Sequence, residues 1–386
     1  MLKSKLTLIV DGNWLLMSRL SVLNNRYKDD MELNHELKLL MIKSINVVLR
    51  TFPMIDNVIF VADGGSWRNK INIPVTSIIS RSELRTLIPI DKLSLDLDKM
   101  SNEEIYEKYA DIIDSFHPIE YKGTRSRSDD FNWDLLFSSY EDFMTTLSST
   151  GITVTREKDI EGDDWCWYWS TKLNNEGTNV IIWSKDKDLT QLVNMDKNKC
   201  FTVWWNKDSG VITSNTPEEE MNWLFNLEYN TNEEIFSKIC NIANKVTSID
   251  KKEVIINKIL KGDPSDNILP ILIRKSKTPG GKQYKISNKD INYDLDIHNQ
   301  NNITNYFTNL INSKSYKDRV HNTVNEAVDH FNYNRRLVTL EQDSYPEYVL
   351  ETMSKYDDYN ISKNLSIAES QIKGESVGLV NILNTI

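Results

Sequence analysis

Five places in this chain set acidic side chains where divalent cations can be held. Asp11 closes the apolar run 6–10, and Asp63 closes the run 58–62. Glu161, Asp163 and Asp164 enter a stretch that turns aromatic at Trp165. Asp186 and Asp188 follow the run 180–183, and Asp263 and Asp266 lie in Gly262-Asp263-Pro264-Ser265-Asp266-Asn267. Any one of these alone reads as a turn former or helix cap. Asp263 on its own caps a helix whose first turn begins with Pro264. The i, i+3 spacing of Asp263 and Asp266, and of Glu161 and Asp164, puts each pair on one side of a turn.

Carboxylates gathered at one place raise each other's pKa and repel, and hard cations with oxygen ligands relieve that cost. No histidine or cysteine joins the group, which argues against zinc and for Mg²⁺, with Mn²⁺ as a substitute. Two such ions about 3.5–4 Å apart are the usual apparatus of phosphodiester hydrolysis, activating water and stabilising the leaving oxygen.

The elements that must position these groups follow from periodicity. The runs 6–10, 58–62, 180–183 and 201–205 read as buried strands. Leu37, Leu40, Met41 and Ile45, then Phe143, Met144 and Leu147, keep helical spacing between them. Strands alternating with helices predict an α/β fold with a mainly parallel sheet, whose sites form at the carboxyl ends of strands. After about residue 217 the pattern turns to helices and polar loops. The expected division is an α/β core over 1–215 with an acidic insertion at about 71–118, a helical region over 216–345, and a C-terminal tail over 346–386. Trp165, Trp167, Tyr168 and Trp169, following Asp164 in a helix, are expected mainly in the core, and Trp204 and Trp205 in strand packing.

The formal charge of the 386 residues is −10, yet the cations are clustered. Between residues 267 and 289 lie Arg274, Lys275, Lys277, Lys282, Lys285 and Lys289 without one acid, and Lys122, Arg125 and Arg127 form a second knot. This pattern suits a local phosphate-binding surface on an acidic body. Arg19 is counted with Lys122, Arg125, Arg127, Arg274, Lys275, Lys277 and Lys282 as DNA-contacting. Three cysteines without CxxC spacing exclude a disulfide framework and a zinc cluster. With no apolar run long enough for a signal or a membrane span, the expectation is a soluble, cytoplasmic protein with no membrane partner.

In chain order, Asp11-Gly12-Asn13, Asp63-Gly64-Gly65, Tyr121-Lys122-Gly123-Thr124-Arg125, Glu161-Gly162-Asp163-Asp164, Ser184-Lys185-Asp186-Lys187-Asp188 and Gly262-Asp263-Pro264-Ser265-Asp266-Asn267 resemble the flap endonuclease and 5′–3′ exonuclease family over roughly residues 6–345. The Lys122 segment, Asp188-Leu189-Thr190-Gln191-Leu192 and Ile259-Leu260-Lys261-Gly262-Asp263 look most like the T-even-phage ribonuclease H branch. The resemblance implies a PIN-like sheet, a helical DNA-binding region and two metal sites. Asp11, Asp63, Glu161 and Asp163 or Asp164 would serve one ion; Asp186, Asp188, Asp263 and Asp266 would serve the other. Lys122 and Arg125 match the family's helical-gateway motif, where a lysine and an arginine one helical turn apart face the scissile phosphate. Implied substrates are branched or nicked DNA and RNA–DNA hybrids, in replication and repair, within a host-cell cytoplasm if the chain is a phage's. A sliding clamp or single-strand-binding protein is the implied protein partner, with the apolar end 377–386 as a docking segment or a piece of its own domain's packing.

The chain departs from the family in three ways: about forty added residues between Asp63 and Tyr121, an expansion over about 218–249, and no Gly-x-Gly hairpin after Asn267. A phosphatase of the haloacid dehalogenase type would need a second aspartate at position 13, which is Asn. The alternative outside enzymes is a DNA-structure-binding or scaffolding relative that keeps the fold.

Overall fold

The computed structural model describes residues 6–23, 29–51, 55–71, 74, 78–79, 81–89, 97, 99–114, 121–123, 125, 131–193, 200–206, 210–213, 248–275, 283–359, 362 and 365–383. Arg127, Lys277 and Lys282 lie outside them, as does most of the 218–249 expansion. The chain forms two compact units. One comprises Met1–Ser66, Ser128–Thr247 and Pro346–Ile386; the other comprises Trp67–Arg127 and Ser248–Tyr345.

In chain order the elements begin β1 (Leu6–Asp11), α1 (Gly12–Leu23), α2 (Asp30–Thr51) and β2 (Asn57–Val61). There follow α3 (Arg81–Leu87), α4 (Asn102–Asp114), α5 (Trp133–Ser149), β3 (Thr153–Thr155), α6 (Gly162–Asn175), β4 (Asn179–Trp183), β5 (Cys200–Asn206) and β6 (Gly210–Thr213). The first unit is built on a six-stranded sheet ordered β3-β2-β1-β4-β5-β6. All neighbours are parallel except β5 and β6.

The apolar runs read from sequence are β1, β2, β4 and β5. Every residue of β1, β2 and β4 is buried, as strands covered on both faces require. The short strands β3 and β6 were not legible, because three or four residues carry too little periodicity to be told from loop. The helices expected around Leu37 and around Phe143 are α2 and α5. Leu37, Met41, Ile42 and Ile45 of α2 and Phe143, Met144 and Leu147 of α5 share a core with Leu8, Val10 and Phe60 of the sheet. Residues 346–386 also cluster with this unit, and Leu365, Ala368 and Ile372 sit in the same core. The helix Ser366–Leu383 takes in part of the apolar end 377–386, whose side chains lie outside the described residues. Within α6, Trp165 and Trp169 are fully buried, while Trp167 and Tyr168 are half-buried.

The second unit is mainly helical. Helices Ser248–Lys261, Gln300–Asn312 and Val324–Val338 share a core with a two-stranded ribbon of Leu272–Ile273 and Gln283–Tyr284. The acid-rich insertion is amphipathic. Ile79 and Leu84, with Ile105 and Ile113 of α4, are fully buried in one core with Ile259, Leu260, Phe307 and Phe331. Among the described residues, no helix is long and apolar enough to cross a membrane.

Candidate metal centre and phosphate-binding surface

In the first unit the register brings one carboxyl edge of the sheet together. Asp11 ends β1 opposite Val61 of β2, and Val10 lies opposite Trp183 of β4. The residues just beyond β2 and β4, Asp63 and Ser184, therefore flank Asp11. Ser184 Oγ donates to Asp11 Oδ2 at 2.7 Å, and the Trp14 amide donates to Asp11 Oδ1 at 3.0 Å, capping α1. Asp63 Oδ1 accepts the Gly162 amide at 2.6 Å, and its Oδ2 accepts Asn13 Nδ2 at 2.5 Å. Asn13 Oδ1 in turn accepts the Asp63 amide and Tyr140 Oη, each at 3.2 Å.

The loop before α6 adds the next acids. Ser66 Oγ donates to Glu161 Oε2 at 2.8 Å. The Glu161 amide donates to Asp164 Oδ2 at 3.1 Å, so Asp164, fully buried, closes the first turn of α6. Asp163 is half-buried on the same turn. Past β4, Ser184 Oγ accepts the Asp186 amide at 3.0 Å, and Asp186 Oδ1 accepts the Asp188 amide at 2.8 Å. Gly162 is fixed by this geometry. A Cβ there would stand 3.0 Å from Asp63 Oδ1 and 3.9 Å from Asp11 Oδ1.

Burial pushes Asp11 up to about 7, with Asp63 and Asp186 raising it further against the lowering by Trp14 and Ser184. Its hydrogen-bond donors are all neutral. A cation at this edge would remove the cost of ionising Asp11, and an all-oxygen donor set suits Mg²⁺ or Mn²⁺. The residues present fit a hard divalent ion. Burial, then Asp11 and Asp63, also raise the phenol of Tyr140 well above its usual range, which keeps it a neutral donor to Asn13.

The second unit treats its acids differently. Asp263 to Ile268 closes as a tight antiparallel bridge around a turn, in place of the helix start that Pro264 suggests. Gly262 needs its left-handed φ of 71°, and a Cβ would stand 2.2 Å from the Ile268 carbonyl oxygen. Lys258 Nζ pairs with Asp263 at 2.7 Å, and Ser265 donates to the same carboxylate at 2.6 Å. Burial raises Asp263, but Lys258 and Ser265 outweigh it and hold the carboxyl below the usual range. Asp266 accepts from Arg125 Nη2, and its carbonyl accepts the Lys122 amide at 2.9 Å.

Lys122 and Arg125 are thus brought to the Asp263–Asp266 turn, but not on a helix. Tyr121–Gly123 form a turn, and Lys122 adopts a left-handed φ of 58°. The helical spacing expected of this pair is corrected: φ at Lys122 is incompatible with a right-handed helix. Lys122 Nζ lies 5.0 Å from the Tyr121 ring centroid.

Arg274 and Lys275 are exposed. The fold adds two cations that linear inspection missed, because they lie over forty residues away. Arg274 bridges Val320, and the Lys275 amide donates to the Arg319 carbonyl at 2.7 Å, so exposed Lys317 and Arg319 join the patch. Arg19 instead lies in the first unit, half-buried, its guanidinium 6.0 Å from the Trp183 ring centroid. Asn13, Ser66, Gly162, Ser184 and Lys258 were also not singled out from sequence. Asn13, Gly162 and Ser184 stand inside the motifs quoted above, which was the signal available.

Comparison with known proteins agrees with this geometry. A family model described as "5'-3' exonuclease, N-terminal resolvase-like domain" matches residues 115–222, beginning where the expected insertion ends. The fold is similar to that of the T5 D15 protein co-crystallised with metal ions, at TM-score 0.50 and 16% identity, covering 94% of this chain and 100% of that one. Further similar structures are a bacteriophage T5 D15 flap endonuclease variant complexed with DNA and metal ions (TM-score 0.47, 16% identity, 95% and 100% covered) and T5 5'-exonuclease with zinc (0.46, 15%, 94% and 100%). No curated protein sequence matches the chain. Residues 115–222 match that domain model, and the mainly parallel, helix-flanked sheet is similar in fold to the T5 protein. The resemblance read from the motifs holds at that level, and the T-even branch is not singled out.

Proposed function

We propose that the chain is a metal-dependent 5′ nuclease, a flap endonuclease and 5′–3′ exonuclease, that hydrolyses phosphodiester bonds in branched or nicked DNA and in RNA–DNA hybrids. The observation that carries this reading is Asp11. It is a buried carboxylate, raised by burial and by Asp63 and Asp186, at the carboxyl edge of a parallel sheet whose strands β3 to β6 fall within the residues that match the 5′–3′ exonuclease domain model. Asp11, Asp63, Glu161 and Asp163 hold the first ion. Asp163 is preferred to Asp164 because Asp164 caps α6 and is wholly enclosed. The motif order assigns Asp186, Asp188, Asp263 and Asp266 to a second.

Divalent ions bound there supply charge stabilisation at the phosphate and lower the pKa of water. The chain's own residues do the positioning. Ser184 and the Trp14 amide orient Asp11, while Asn13 and the Gly162 amide fix both oxygens of Asp63. Lys122 supplies a cation to charge developing on the scissile phosphate; Arg125 is engaged by Asp266 and steadies the Lys122 turn. Arg274, Lys275, Lys317 and Arg319 contact backbone phosphates, with Arg127, Lys277, Lys282 and Arg19 as further contacts. Mg²⁺ is the proposed ion, with Mn²⁺ as a substitute, and the setting is replication and repair in the cytoplasm, with a sliding clamp or single-strand-binding protein as partner.

The test is a labelled 5′-flap duplex and a labelled RNA–DNA hybrid, each incubated with the protein in Mg²⁺, Mn²⁺ or EDTA. Metal-dependent release of flap-length or single-nucleotide products is expected. Tight binding of the branched duplex with no product in any metal would instead establish the scaffolding alternative.

A further inference from the structure

Helix α5 of the first unit reaches the carboxylate edge with two consecutive residues. Tyr140 lies on its sheet-facing side, in the stripe that continues through Phe143, Met144 and Leu147, while Glu141 is exposed. The Tyr140 ring packs edge-on against Phe60 of β2, with centroids 6.1 Å apart. Its phenol oxygen lies over Gly12, where a Cβ would come within 2.3 Å of it, so glycine beside Asp11 is what admits the phenol. Tyr140 is 5% exposed, and a hydroxyl buried this far needs a hydrogen-bond partner. It has one in Asn13 Oδ1, at 3.2 Å. The same oxygen accepts the Asp63 amide at 3.2 Å, which fixes which end of the Asn13 side chain is oxygen. The Asn13 NH₂ group is thereby turned onto Asp63 Oδ2, at 2.5 Å. Glu141 repeats the device on the backbone. It pairs with Arg156 Nη1 at 2.7 Å, and Arg156 Nε donates to the Asp63 carbonyl at 2.9 Å.

We propose that Tyr140 is a positioning residue, which through Asn13 holds the Asp63 carboxylate in place for the first ion. That an ion binds beside Asp63 is taken from the function proposed above; the bonds that hold the carboxylate are not. A carboxylate fixed beforehand loses less freedom when the ion arrives. Groups that orient a metal's ligands without touching the metal commonly change its affinity by about 10- to 100-fold. A tyrosine that only packed in the core would behave differently. Losing its O–H would then cost a little stability and leave the ion's affinity unchanged, because nothing beyond Asn13 would depend on the bond.

The experiment titrates the full chain with Mn²⁺ in the absence of DNA, reading the free ion by electron paramagnetic resonance, beside a melting curve. Asp63→Ala identifies the site by abolishing it. Tyr140→Phe, which removes one oxygen and keeps the ring, should weaken that site about tenfold and lower Tm by no more than about 4 °C. Asn13→Ala should weaken it at least as much. Adding Tyr140→Phe to Asn13→Ala should weaken it no further, because the phenol acts through Asn13. Met144→Ala, which opens a cavity in the same stripe, should lower Tm more and leave the affinity unchanged. Four results would each overturn the inference: unchanged affinity in Tyr140→Phe, additive losses in the double variant, an equal loss in Met144→Ala, or no wild-type Mn²⁺ site that depends on Asp63. Flap cleavage in Mg²⁺ on the same samples tests the nuclease reading separately. Mn²⁺ held through Tyr140 and Asn13 without cleavage sinks only that reading, and cleavage with an affinity indifferent to Tyr140 sinks only this one.

Discussion

Asp11 and Asp263 are the same residue type, each at the head of a conspicuous motif, and the fold treats them in opposite ways. Asp11 is enclosed among neutral donors, with Asp63 and Asp186 nearby, and its pKa rises to about 7. Asp263 is half-enclosed beside Lys258, and its pKa falls. Among its described neighbours Asp11 meets no counter-charge, which a bound ion would bring. The turn of the second unit carries its own, through Lys258 on Asp263 and Arg125 on Asp266. Motif spacing shows where carboxylates gather; only the neighbours show whether the protein has already neutralised them.

The largest effect that would sharpen this contrast is on chemistry. Asp186→Asn and Asp188→Asn should each lower single-turnover cleavage of a 5′-flap duplex in Mg²⁺ by about three orders of magnitude, roughly 4 kcal/mol of lost transition-state stabilisation. Binding of the same duplex in Ca²⁺ should persist. Cleavage near the wild-type rate in both would remove these residues from the ligand set.

A smaller effect is expected at Gly162. Its hydrogen-bonded amide and missing Cβ hold Asp63 and admit Asp11, so Gly162→Ala should force the Asp63 carboxylate aside and raise the Mg²⁺ concentration for half-maximal cleavage by about tenfold. Melting should change little, because alanine is the better helix former and offsets part of the crowding. A metal titration of cleavage beside a melting curve decides it.

The two aspartates should also give opposite pH slopes in the metal-free protein. Asp11 keeps its proton when folded up to about pH 7 but loses it near 3.8 when unfolded. The folded state therefore binds more protons across that window, and stability falls as pH rises through it. Melting in EDTA should drop by roughly 5 °C between pH 4.5 and 7.5, Mg²⁺ should restore it at pH 7.5, and Asp11→Asn should flatten the slope. Asp263, with its lowered pKa, contributes stability above about pH 4 that is lost as pH falls further. A flat profile between pH 4.5 and 7.5 in the wild type would break the comparison.

Smallest is the loss of the built-in counter-charge. Lys258→Met should destabilise the chain by about 1–2 kcal/mol, read from chemical denaturation, since the pair is only partly enclosed and a surface pair alone would give less. The variant should recover part of that in millimolar Mg²⁺, as the ion proposed at Asp263 takes over the charge that Lys258 supplied. Destabilisation with no metal response would mean that the turn needs lysine and holds no ion.

The sequence by itself determined the sheet and its acidic edge. Four apolar runs, each too short for a helix, became β1, β2, β4 and β5, and β1, β2 and β4 are buried throughout, because a parallel strand under helices leaves a continuous apolar signature. An aspartate closing such a run lies at the carboxyl edge, which is how Asp11, Asp63 and Asp186 were legible. Tertiary structure alone decided what each carboxylate meets. The Ser184 bond to Asp11 spans 173 positions and the Arg125 bond to Asp266 spans 141, distances over which periodicity carries no information. It also decided that the acidic insertion folds: Ile79, Leu84 and Ile105 are diluted by charge in the sequence, yet their burial with helices two hundred residues later is what orders that segment. Lys122 shows the same limit at short range. Its spacing from Arg125 suits a helix, but its amide is taken by the distant Asp266 carbonyl and its backbone is left-handed.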